Sequence, residues 1–254
     1  MFLVDTHCHL DDDRFKDDLD SLIESSFKAG VEKIIIPAAN PDTLQTAINL
    51  AESYKGVYFA CGIHPCDLKD KYKDYLAFAS HKKCVAIGEC GLDYHYLDSS
   101  NDIESIKNEQ KEEFIKQIEF AIKMDLPLIV HIRESSNDAF NILDSYKNAR
   151  GVLHCFNADR ILLNLSDRFY YGIGGVATFK NARRLIEVLP LIPKERIVFE
   201  TDAPYLTPEP HRGKRNEPSY IPIILEKVAS ILEESKENMA KTSTENANTL
   251  FNLN

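Results

Sequence analysis

Eight short apolar runs with the composition of β-strands recur from one end of the chain to the other. They cover residues 2–5, 33–37, 57–63, 85–88, 128–130, 151–154, 169–173 and 197–199. Between most of them, apolar residues recur at the three- and four-residue spacing of amphipathic helices, as at Phe15, Leu19, Leu22, Ile23 and Phe27. Strand followed by helix, repeated along a chain, is typical of a parallel sheet. The sequence therefore predicts an α/β fold of the (β/α)₈, or TIM-barrel, type.

No boundary divides this barrel from a second domain. The chain has no linker rich in Pro, Gly or Ser and no shift in composition, and a single barrel uses all of its 254 residues. We therefore predict one domain over residues 1–254. After the eighth strand, residues 221–234 and 238–251 are predicted to form two closing helices.

Composition and charge exclude several classes of protein. The 30 Lys and Arg residues against 40 Asp and Glu residues give a net charge of −10, which disfavours broad, non-specific adhesion to nucleic acid. Nucleic acid stays open as a substrate, because bound cations can supply positive charge at a site. No apolar run approaches the ~20 residues of a membrane helix, and the first residues lack the pattern of a signal peptide. We expect a cytoplasmic protein with no membrane contact and with free thiols.

His7 and His9 follow the first predicted strand. In extended chain, alternate side chains share a face, so the two imidazoles point the same way and can bind one metal ion, while Cys8 points away from them. Two histidines at this spacing are a weak signal by themselves, because histidines on a strand also occur in cores and at surfaces.

Four other ionisable side chains stand at or just after the carboxyl ends of predicted strands: Glu89, His131, His154 and Asp202. In a parallel barrel these ends meet on one face, where such barrels keep their active sites. Burying so many ionisable groups together requires compensation, and divalent cations provide it. Six ligands exceed the need of one tetrahedral ion, so we predict two divalent ions per subunit, Mg²⁺, Mn²⁺ or Zn²⁺, with Glu89 bridging them.

Seven segments of the chain carry a resemblance to a known family. They read DTHCHL (5–10), GIHP (62–65), GECGLDY (88–94), HIR (131–133), HCF (154–156), ETDAPYL (200–206) and RGKRNEP (212–218). In this order they resemble the TatD family of metal-dependent deoxyribonucleases, within the amidohydrolase-like barrel superfamily. The chain departs from the family pattern at Asn157 and Ala158, where Ser and Gly are usual, and at Cys66, where many members have His.

The resemblance implies that His7, His9, Glu89 and Asp202 hold one ion, and that Glu89, His131 and His154 hold the other. The implied activity is hydrolysis of phosphodiester bonds in DNA, in exonuclease fashion, by a metal-bound hydroxide. Glu89, Asp202 and His64 are the expected catalytic residues, with Asp202 accepting the proton of the attacking water.

Four side chains are expected to contact substrate. His64 either binds a phosphate or caps its loop, and Arg133 suits two-pronged contact with phosphate oxygens. Arg212 and Arg215 belong to the densest basic cluster of the chain, which follows the eighth strand and is placed to guide a phosphate backbone. Glu200 is expected to be a buried acid and not a ligand, and Asp5 to orient a ligand.

Two other functions stay open. The same binuclear site could hydrolyse another ester or an amide, as a D-aminoacyl-tRNA deacylase does, with RNA or aminoacyl-tRNA in place of DNA. A non-catalytic, metal-stabilised nucleic-acid-binding module is disfavoured, because every expected ligand is present. No segment points to an obligatory protein partner.

Overall fold

The computed structural model describes residues 2–70, 74–95, 97 and 102–253. Eight parallel strands are hydrogen-bonded to one another in sequence order. They are β1 (Leu3–Asp5), β2 (Val31–Ile36), β3 (Val57–Cys61), β4 (Cys84–Asp93), β5 (Leu128–Arg133), β6 (Gly151–Leu153), β7 (Phe169–Ile173) and β8 (Ile197–Phe199). The predicted (β/α)₈ barrel is confirmed.

The barrel closes through the chain that follows β1 and β8. The backbone N–H of Thr6 donates to the carbonyl of Phe199 at 3.0 Å, and that of Asp202 donates to the carbonyl of His7 at 2.8 Å. Cys8 and Ala203 form a parallel bridge one step further along. These bonds hold the segment of His7 and His9 beside the segment of Asp202.

Seven α-helices lie between and after the strands within the described residues. They are α1 (Leu19–Lys28), α2 (Leu44–Ser53), α3 (Ile103–Met124), α4 (Ser136–Ser145), α5 (Arg183–Val188), α6 (Ile221–Ile231) and α7 (Lys236–Phe251). The last two are the predicted closing helices. The α7 helix begins earlier than predicted because the Ser235 side chain caps it, accepting from the backbone N–H of Asn238 at 3.1 Å.

Within the described residues, two of the strand connections contain 3₁₀ turns and no α-helix. Leu68–Asp70 lies between β3 and β4, and Arg160–Leu165 lies between β6 and β7. No helix in the described part of the chain combines the length and the apolar composition that a membrane crossing requires.

Apolar packing inside the barrel closes one of its ends. One buried cluster joins alternate strand residues, among them Ile35, Ile129, Val152 and Val198, to Leu250 and Phe251 of α7. The α7 helix therefore covers the amino-terminal end of the strands. The carboxyl end carries the polar side chains and stays open, as is usual for a barrel enzyme.

The β4 strand is much longer than the predicted run of residues 85–88. Gly88 adopts φ +149°, and the pairing with β5 shifts register between Ile87 and Cys90. A Cβ at Gly88 would lie 2.6 Å from the carbonyl oxygen of Ile129, so a glycine is required here. After this irregularity the strand resumes and runs to Asp93, which brings a second carboxylate to the open face.

Candidate metal centre

The structure brings together all six side chains predicted as metal ligands. They converge at the carboxyl end of the barrel: His7, His9, Glu89, His131, His154 and Asp202. Donor atoms of this set form several groups of three within 4.8 Å of one another. The convergence follows from the parallel strands, since each side chain lies at the same end of a neighbouring strand or just beyond it.

Glu89 lies at the middle of the cluster. Its Oε1 is 3.0 Å from His131 Nδ1 and 3.2 Å from His154 Nε2. Its Oε2 is 3.3 Å from His7 Nε2 and 3.9 Å from His9 Nε2. Each oxygen therefore faces a different pair of imidazoles, which is the position that a bridging carboxylate needs.

Asp202 completes the side of the cluster that His7 and His9 form. Its Oδ1 lies 3.4 Å from His9 Nε2 and 3.6 Å from His7 Nε2. The two Nε2 atoms are themselves 3.2 Å apart, so both imidazoles present the same nitrogen to one point. The shared face predicted for His7 and His9 is therefore observed.

The electrostatics of the cluster fit bound cations. Burial alone would raise the pKa of Glu89, but the neighbouring histidines hold it well below its usual range. Burial would also lower the pKa of His9, yet its hydrogen bond to Asp202 and the charges of Glu89 and Asp202 raise that pKa to about 9. Without cations, protons on the imidazoles supply the positive charge that the two carboxylates require. This donor set suits divalent metal ions.

Asp93 belongs to the site and was not assigned a role from the sequence. Its Oδ2 lies 3.1 Å from His131 Nε2, and its side chain is almost fully buried. Burial raises the pKa of Asp93, but the hydrogen bonds from His131 and from the backbone N–H of His95 outweigh that effect and lower it. His131 Nε2 therefore donates to an ionised Asp93, and His131 Nδ1 is directed to the cluster.

Two buried carboxylates, Glu200 and Asp5, hold the predicted ligands and their backbone in place. Glu200 is fully buried, its Oε1 accepts from the backbone N–H of Cys155 at 2.6 Å, and it lies 3.3 Å from His154 Nδ1. Asp5 accepts from the backbone N–H groups of His7 and Thr201 and from the Thr201 hydroxyl. Asp5 thus fixes the backbone on both sides of the barrel closure, and it acts on His7 through the backbone N–H.

His64 both caps its loop and faces the cluster. The backbone N–H of Cys66 donates to His64 Nδ1 at 3.1 Å, and His64 Nε2 lies 3.6 Å from Glu89 Oε1. Because Nδ1 is an acceptor, Nε2 carries the proton. Burial lowers the pKa of His64 to about 4, so the imidazole is neutral near pH 7.

A cavity of about 880 Å³ opens beside the cluster. His131, His154 and Asp202 of the cluster line it, and so do Arg133 and Tyr205. The cavity extends over the loops that follow β5, β6 and β7. It is large enough for a ligand of nucleotide size.

Of the three arginines predicted to contact substrate, only Arg133 lines this cavity. Arg212 is exposed, with its guanidinium 3.9 Å from the centroid of the Phe179 ring. Arg215 makes two hydrogen bonds to Asp18, at 2.8 and 2.6 Å, and a third to the carbonyl of Arg14. Contact of Arg212 and Arg215 with substrate stays a prediction.

Comparison with known proteins gives the family. Residues 4–252 match the family model described as TatD related DNase. The chain is 40% identical to the uncharacterized metal-dependent hydrolase YabD of Bacillus subtilis, over 99% of this chain and 100% of that protein. It is 33% identical to the 3'-5' ssDNA/RNA exonuclease TatD of Escherichia fergusonii, over 99% of both chains.

A solved structure of a TatD homolog has the same fold. The crystal structure of YJJV, a TatD homolog from Escherichia coli K12, superposes with a TM-score of 0.88 at 29% identity and covers 99% of this chain and 98% of that one. The family match begins in β1 and ends just after α7, so it includes every strand that contributes to the cluster. The protein is therefore a metal-dependent hydrolase that belongs to the TatD family.

Proposed function

We propose that the protein hydrolyses phosphodiester bonds of single-stranded DNA, starting at the 3′ end. The observation that carries the proposal is that three members of the histidine and carboxylate cluster, His131, His154 and Asp202, line one cavity together with Arg133. A cluster that holds cations attracts an anionic substrate, and the cavity has room for a nucleotide. The name of the Escherichia fergusonii relative supports both the substrate class and the direction.

The residues that would hold two divalent ions form two groups that share Glu89. One group is His7, His9, Glu89 and Asp202, and the other is Glu89, His131 and His154. When bound, such ions polarise a phosphate and lower the pKa of an attacking water. Mg²⁺, Mn²⁺ and Zn²⁺ all suit histidine and carboxylate ligands.

The protein's own groups then orient the phosphate. The Arg133 guanidinium presents planar donors to the non-bridging oxygens, which is the strongest geometry for phosphate. Its side chain is 42% exposed and its Nη1 is 4.0 Å from Asp93 Oδ2, so it is both accessible and positioned. His64 Nε2, which carries a proton, donates a further hydrogen bond on the opposite side of Glu89 from His7.

Asp202 is the group that accepts the proton of the attacking water. Its side chain is 16% exposed and lines the cavity, in contrast to the 4% of Glu89, so water reaches it from the cavity. Burial opposes ionisation of Asp202, but the hydrogen bond from His9 and the nearby histidines lower its pKa below the usual range. The carboxylate is therefore ionised and able to act as a base.

The test is cleavage of single-stranded DNA labelled at its 5′ end. The protein is stripped of metal, and Mg²⁺, Mn²⁺ or Zn²⁺ is then added back in separate reactions. We expect a metal-dependent ladder that shortens from the 3′ end, and none with His131→Ala. His81→Ala is the matched control, because His81 lies outside the cluster and pairs with Glu52 at 3.3 Å. Intact DNA with all three metals would contradict the proposal, and a ladder that persists in His131→Ala would trace the activity to a contaminant.

A further inference from the structure

We infer that Tyr205 is a stacking platform for the nucleobase next to the phosphate that is cleaved. The inference rests on the proposed function and names a further binding site for the same substrate. Among the described residues, the large apolar side chains that are exposed are Phe2, Phe27, Phe78, Leu191 and Tyr205. Of these only Tyr205, which is 48% exposed, lines the cavity of the metal centre.

The backbone fixes Tyr205 relative to the cluster. Its N–H donates to the carbonyl of Asp202 at 2.8 Å, which closes a tight turn directly after a predicted ligand. The Asn216 side chain donates to the carbonyls of Thr201 and Tyr205, at 2.8 and 2.6 Å, and so ties both ends of this turn together. The tyrosine is therefore held close to Asp202 and is not carried on a loose loop.

The Tyr205 ring lies next to His9, a member of the cluster. Its centroid is 6.0 Å from that of His9, with the two rings nearly perpendicular. In a nucleotide one sugar separates the base from its phosphate. If the phosphate lies at the cluster, its base therefore reaches the residues next to the predicted ligands. Beside His9 that residue is Tyr205.

The Arg14 guanidinium lies over the Tyr205 ring. Its guanidinium carbon lies 4.3 Å from the ring centroid, a stacked cation–π contact. The guanidinium is itself held by two hydrogen bonds to Asp12, at 2.8 and 2.6 Å. The ring thus contacts a fixed cation, and it is still 48% exposed and lines the cavity.

An aromatic ring that is rigid, half exposed and next to a phosphate site suits base stacking. Every nucleobase has a π-face, so stacking tolerates any sequence, which an exonuclease requires. If Tyr205 instead bound DNA by a hydrogen bond, binding would depend on its hydroxyl oxygen and not on the ring. Tyr205→Phe separates the two, since it keeps the ring and removes the hydroxyl.

The experiment measures binding apart from cleavage. Two fluorescein-labelled single-stranded oligonucleotides carry phosphorothioate linkages at the 3′ end to resist hydrolysis, and they differ only in that one has a stable abasic sugar at its 3′-terminal position. Dissociation constants are measured by anisotropy with Mn²⁺ for wild type, Tyr205→Ala and Tyr205→Phe. Phe27→Ala is the matched control, because Phe27 is an exposed aromatic (38%) near the carboxyl end of α1, at the opposite end of the barrel.

We expect wild type, Tyr205→Phe and Phe27→Ala to bind the base-bearing oligonucleotide about 10- to 100-fold more tightly than the abasic one. Tyr205→Ala should bind both with the weaker constant. Equal binding of the two oligonucleotides by wild type, or an unchanged preference in Tyr205→Ala, would overturn the inference. Wild type that shows the preference but leaves ordinary DNA intact would contradict the proposed hydrolysis while supporting the platform.

Discussion

His131 joins two carboxylates through its two ring nitrogens: Nδ1 lies 3.0 Å from Glu89 Oε1 and Nε2 lies 3.1 Å from Asp93 Oδ2. Because Asp93 is ionised, the proton on Nε2 is fixed by that hydrogen bond. The Nδ1 lone pair then faces the cluster whenever His131 is neutral. A carboxylate behind a histidine ligand sets the tautomer and the ring orientation and makes the imidazole a better ligand.

The first prediction concerns this pair. Asp93→Asn replaces an acceptor by an amide that can present its N–H₂ to Nε2, so the tautomer of His131 is no longer fixed. We expect metal affinity to fall about 10- to 100-fold, with cleavage falling in parallel and recovering at high metal concentration. Competition with a chromophoric chelator measures the affinity. Asp144→Asn, an exposed carboxylate paired with Lys147, should leave it unchanged; loss of affinity in both variants would refute a specific role for Asp93.

Asp93 is a residue of the site that the sequence analysis does not identify. The strand-end positions of His131, His154 and Asp202 could be predicted, because apolar runs mark strands and parallel strands align their ends. The predicted fourth strand covers residues 85–88 only, because the apolar run stops there. In the structure Gly88 bends the chain and the strand resumes. The four-residue spacing from Glu89 to Asp93 in extended chain was the available signal.

Contacts between distant segments could not be predicted from the sequence. The stacking of Arg14 on Tyr205 and the bonds of Arg215 to Asp18 join the loop after β1 to the loop after β8. No local pattern marks such pairs, because they depend on the closure of the barrel. The charge of the basic cluster and its place after the eighth strand make Arg215 a candidate for substrate contact, and the bonds of its guanidinium to Asp18 could not be foreseen from either feature.

The second prediction tests the bridging position of Glu89. Removing the carboxylate in Glu89→Ala takes a ligand from both proposed ion sites. We therefore expect two ions per chain in wild type, fewer in the variant, and loss of cleavage. Metal content after desalting is measured by elemental mass spectrometry, and folding by circular dichroism. Glu24→Ala is the control, because Glu24 is an exposed carboxylate on α1 that pairs with Lys28 away from the cluster. Full metal content in a folded Glu89→Ala would be incompatible with a bridge.

The third prediction is the pH dependence of metal binding. The pKa of His9 in the metal-free protein is raised to about 9, so below pH 9 His9 carries a proton that a metal ion must displace. The pKa values of Glu89 and Asp202 are lowered, so both are already ionised and release nothing in this range. Apparent affinity should therefore rise with pH between pH 6 and 9.

Chelator competition at several pH values measures this slope, and calorimetry in two buffers of different ionisation enthalpy counts the protons released. We expect at most a roughly tenfold gain in affinity for each pH unit and for each proton displaced. His81→Ala should behave as wild type does. An affinity that is constant from pH 6 to 9 would show that the imidazoles of the cluster are unprotonated before the metal binds.

The fourth prediction concerns the space that Gly172 leaves for Glu200. A Cβ at position 172 would lie 2.2 Å from Glu200 Oε2, and Glu200 is fully buried, so the carboxylate must move away from His154 and from the N–H of Cys155. We expect Gly172→Ala to lower the free energy of unfolding by about 1–3 kcal/mol, as overpacking in cores does. Metal affinity should fall too, because His154 loses its neighbour on the Nδ1 side.

Gly174→Ala provides the matched control two residues further along. A Cβ there meets nothing closer than 3.5 Å, at the Glu200 carbonyl oxygen, and Gly174 has a φ of −109°, which alanine adopts without strain. We expect this variant to stay within about 0.5 kcal/mol of wild type in denaturant unfolding, with unchanged metal affinity. If the two variants lost the same stability, the cost would come from substitution at the end of β7 and in the residues just after it, and not from Glu200. If only Gly172→Ala lost stability and metal affinity, the cause would be the contact between Gly172 and Glu200. Packing around the buried Glu200 would then affect metal binding through His154.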